Sequence, residues 1–86
     1  MDKKEKYINY IVEDMIKNTE IDYDREKIKY PFSSSFYLFR FILYPHSPFF
    51  SNFSKYITER YGIHDEDVDI IWKLYKGKIK EVIDNG

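Results

Sequence analysis

Val68, Ile71, Trp72, Tyr75, Ile79, Val82 and Ile83 recur at the spacing of one face of an α-helix. A stripe that long has to be buried against something, and this constrains the fold more than any other feature. Ile70 and Leu74 are read as widening it. Asp65, Glu66 and Asp67 crowd the expected first turn, where negative charge meets the positive end of the helix dipole. Lys76, Lys78 and Lys80 lie towards the opposite end, again the favourable sign. Gly77 interrupts the helix at a cost of about 1 kcal/mol relative to alanine, so close approach of another element is expected there.

Two more helices follow from the same periodicity. Ile8, Ile11, Val12, Met15 and Ile16 form a stripe between Asp2 and Asn18, and Tyr7 widens it. Phe49, Phe53, Tyr56, Ile57 and Tyr61 form another, with Ser47 as the expected N-cap and Pro48 at the first helical position, where the missing amide hydrogen does no harm. Gly62 fits the left-handed position after that helix, and Ile63 the apolar contact that accompanies it.

Between the first two helices the pattern changes. Ile21 and Tyr23 alternate with acids, and Ile28 and Tyr30 alternate with lysines. Period-two alternation predicts two short half-buried strands turning at Asp24 to Glu26, with acids of one facing lysines of the other. The apolar run Phe36 to Tyr44 follows Ser33-Ser34-Ser35 and ends at Pro45. Periodicity does not separate helix from strand in such a run. The serines, as N-caps, favour a short helix; the aromatic content favours a strand. A short helix is expected.

The expected fold class is therefore mainly α, with three to four short helices and a small β-hairpin. Eighty-six residues make one small helical domain, 1–86, with no linker or repeat. No cysteine is present, so neither a disulfide nor a thiolate zinc site is available. No apolar run approaches the ~20 residues that span a bilayer. Cytoplasmic residence is the expectation, in the host if the chain is viral. The chain has no alanine and no glutamine, while Lys, Ile, Tyr and Phe are abundant. That usage matches AT-rich coding and associates the chain with a phage, virus or other mobile element.

Candidate chemistry is sparse. Asp65, Asp67 and Asp69 alternate as at the start of a calcium loop, but Ile70 replaces the glycine and Lys76 the glutamate such a loop needs. His46 and His64 have no evident nucleophile and orienting acid, and Ser47 is better explained as a cap. Three scattered glycines make no phosphate loop. No catalytic residue, cofactor or metal is expected, and the chain is not read as an enzyme.

The remaining signal is aromatic. Phe, Tyr and Trp make up 20% of the chain, more than so small a domain is expected to bury. Aromatic side chains are enriched at the centres of interfaces. The leading expectation is a non-catalytic interaction protein that binds a protein partner or itself. The residues expected to bind are Phe36, Tyr37, Phe39, Phe41, Phe49, Phe50, Trp72 and Tyr75. The alternative is a nucleic-acid-binding regulator, with the last two helices as a helix-turn-helix-like pair. A net charge of -1 and the acidic start of the last helix weigh against it, because phosphates repel carboxylates.

Overall fold

The computed structural model describes residues 3–40 and 49–85. Among these residues, three helices carry the fold: α1 (Lys3–Lys17), α2 (Phe50–Tyr61) and α3 (Asp65–Asn85). Between α1 and α2 lies a small antiparallel sheet of β1 (Glu20–Asp22), β2 (Lys27–Lys29) and β3 (Tyr37–Leu38), with β2 in the centre. A mainly helical chain with a small β element is what the periodicities predict.

The end of α1 shows how side chains close a helix. Its last carbonyls would be orphaned without partners. The Asn18 amide donates to the Asp14 carbonyl at 3.0 Å, and the Thr19 hydroxyl donates to the Met15 carbonyl at 2.6 Å. The backbone then enters β1. Ile21 pairs with Ile28, while Glu20 faces Lys29 and Asp22 faces Lys27. Acids thus oppose lysines on the outer face, and the isoleucines share the inner one. Tyr23 lies in the turn rather than in β1. The Asp22 carboxylate accepts the Arg25 amide at 3.2 Å, and Glu26 takes a positive φ of 55°. That left-handed residue lets a connection without glycine reverse the chain.

The helix expected over 36–44 is corrected in its described part, where Tyr37–Leu38 is the strand β3. Pro31 sits in a turn closed by the Ser33 amide on the Tyr30 carbonyl at 3.0 Å. Ser33 then bonds Ser35 locally instead of capping a helix. The turn brings Tyr37 and Leu38 alongside β2, where Tyr37 pairs with Ile28 and Leu38 with Lys27. The open edge of β2 supplies backbone partners that a local helix would have to make for itself. Residues 41–44 of that run lie outside the described residues.

The expected helix start at Ser47-Pro48 also lies outside the described residues. Helix α2 begins at Phe50, with Phe49 at the cap position. It ends as predicted. Gly62 has φ 68°, and its amide donates to the Thr58 carbonyl at 3.1 Å. Ile63 is buried beyond it, and the His64 carbonyl accepts the first amides of α3 from Asp67 and Val68. The tight connection folds α2 back along α3, so that Phe53 meets Trp72 with ring centroids 4.6 Å apart.

Helix α3 is the centre of the domain. Helices α1 and α2 both pack on it. Its Val68, Ile71, Trp72, Tyr75 and Ile79 are buried together with Ile8, Ile11, Val12 and Met15 of α1, Phe53 and Ile57 of α2, and Ile28 and Tyr30 of the sheet. Burial of a Leu, Ile or Phe side chain contributes about 1.5–3 kcal/mol, so this shared cluster is the main stabilising feature. Among the described residues, no helix is long and apolar enough to cross a membrane.

Candidate interaction surface

Most of the described aromatic rings are buried or packed against the core. Tyr30 stacks on Phe32 at 5.0 Å and approaches Phe49 at 5.4 Å. Tyr37 meets Phe49 edge-on at 4.4 Å. Phe32 meets Phe53 at 5.8 Å, and Phe53 continues the series to Trp72. Offset and edge-on pairs of this kind each contribute about 0.5–1.5 kcal/mol beyond the area they bury.

The eight residues expected at an interface are divided by this packing. Phe49, Trp72 and Tyr75 are buried in the chain's own core. Tyr37 and Phe39 are half-buried and packed against it. Phe41 lies outside the described residues. Phe36 and Phe50 reach solvent, at 44% and 37% of full exposure. Phe50 is nevertheless anchored: its ring lies 5.6 Å from Trp72 and 6.3 Å from Phe53. The Lys76 ammonium stands 5.4 Å from the Trp72 ring centroid and flanks the same spot with positive charge.

Other large side chains are exposed where the periodicity predicts burial. Ile70 and Leu74, expected to widen the buried stripe, are 46% and 43% exposed. Their helical spacing gives the reason. Each falls about half a turn from Trp72 or Ile79, so a helix that covers its neighbours on one side only leaves them outside. Tyr7 and Tyr10 are also exposed and stack on each other at 6.3 Å. Tyr7 is held by a hydrogen bond from its hydroxyl to the Tyr61 carbonyl at 3.0 Å.

Polar groups also tie the elements together. The Tyr61 hydroxyl donates to the Asp14 carboxylate, and the Arg60 guanidinium donates to the Tyr61 oxygen at 3.2 Å. Burial, followed by the bond to Asp14, pushes the Tyr61 hydroxyl well above the usual tyrosine range. The Tyr75 and Thr19 hydroxyls lie 2.8 Å apart. Thr19 spends its hydrogen on Met15, so Tyr75 is the donor in this pair. Burial raises Tyr75 as well, and it pushes Tyr30 up to about 12, with Tyr37 adding to the rise. The Tyr30 hydroxyl is buried and has no hydrogen-bond partner among the described residues.

The chemistry available elsewhere is limited. Among the described residues, no group of three metal-ligating side chains comes together. His64 is exposed and contributes its backbone carbonyl to the start of α3. His46 lies outside the described residues. A shallow groove lined by Glu20, Lys29, Tyr56 and Arg60 carries charges of both signs. No protein-family model, curated protein or solved structure matches this chain.

Proposed function

We propose that this chain is a non-catalytic interaction protein that binds a protein partner through aromatic side chains left outside its core. The observation that carries the reading is Phe50. It is partly exposed, yet fixed by contact with Phe53 and Trp72 and flanked by Lys76. A rigid ring of this kind loses little conformational freedom on binding, which is the property of an interface anchor. Phe36 is the second exposed phenylalanine among the described residues. An accessory role for a phage or virus in its host's cytoplasm is the setting that the AT-rich residue usage supports.

The test uses the intact chain immobilised on a resin, with captured proteins identified by mass spectrometry. Phe50→Asp and Phe36→Asp should lose a specific captured protein while circular dichroism stays that of the parent. Phe53→Asp is the contrasting variant and should unfold the domain. Retention of the same protein by the Phe36→Asp/Phe50→Asp double variant would sink the reading. Nucleic-acid binding is the rival. Exposed Glu66 and Asp69 at the start of α3 would face phosphate with like charge. Duplex binding that weakens steeply with salt would favour the rival instead.

A further inference from the structure

We draw no further inference here: the strongest candidate, the exposed surface patch of Ile70 and Leu74 on the outer face of α3, is bordered by exposed lysines and carboxylates alike, and nothing in the structure shows what covers it.

Discussion

Removing one oxygen atom from Tyr30 should stabilise this protein, although Tyr30 is among its most buried residues. The ring is 1% exposed and packs against Phe32, Tyr37, Phe49 and Tyr75. Its hydroxyl has lost water and gained no partner among the described residues. A buried donor left unsatisfied costs about 1–3 kcal/mol. Tyr30→Phe keeps every ring contact and removes that cost, leaving a void too small for water. A gain of about 1 kcal/mol follows, or about 4–8 °C in Tm for a domain of this size. Tyr75→Phe is the internal control. Tyr75 is equally buried, but its hydroxyl donates to Thr19 at 2.8 Å, so its removal should cost about 1 kcal/mol. Urea unfolding at pH 7, followed by Trp72 fluorescence, measures both, with an unchanged slope showing that the unfolded state is unaltered. If Tyr30→Phe destabilises the protein by 1 kcal/mol or more, the hydroxyl is bonded and the reasoning is wrong.

The same hydroxyl sets an alkaline limit. Its folded pKa of about 12 exceeds the ordinary 10.0, so the folded state holds the proton longer than the unfolded one. That contribution is complete below pH 10 and is lost between pH 10 and 12, by about 3 kcal/mol at most. Urea midpoints from pH 9 to 12 should fall more steeply for the parent than for Tyr30→Phe. Gly77→Ala should raise stability by about 1 kcal/mol, because the added methyl meets nothing and alanine favours the helix; a loss in thermal denaturation would show that glycine is needed within the fold. Phe53→Ala should cost about 3–5 kcal/mol, because the ring is fully buried between Phe32, Trp72 and Tyr75. Phe36→Ala should change stability by less than about 0.5 kcal/mol in the same denaturant assay.

The features legible in the sequence are those fixed by nearest neighbours along the chain. The stripes of α1 and α3, the left-handed Gly62 and the register that sets Glu20 and Asp22 against Lys29 and Lys27 all rest on local spacing and charge. β3 was not legible because its stability is non-local: Tyr37 and Leu38 become a strand only because β2 has an open edge there. The interface candidates were only partly legible for a related reason. Phe49 and Phe50 are adjacent and chemically identical, yet one is buried and the other partly exposed, and which is which depends on where Trp72 lies. Ile70 and Leu74 misled because apolar residues on every side of a helix do not announce which side stays uncovered.

The central position of α3 has a consequence for synthesis. The apolar stripe of α1 is covered chiefly by the helix that comes last of the three. At translation rates of about 5–20 residues per second, α1 waits seconds before that cover exists. An isolated helix of its length is only marginally stable in water. Ile8, Ile11, Val12 and Met15 are therefore exposed on the nascent chain for that interval. A ribosome paused before α3 would carry an adhesive, unfolded segment that a chaperone can hold, and the domain would close in a single late step once α3 emerged.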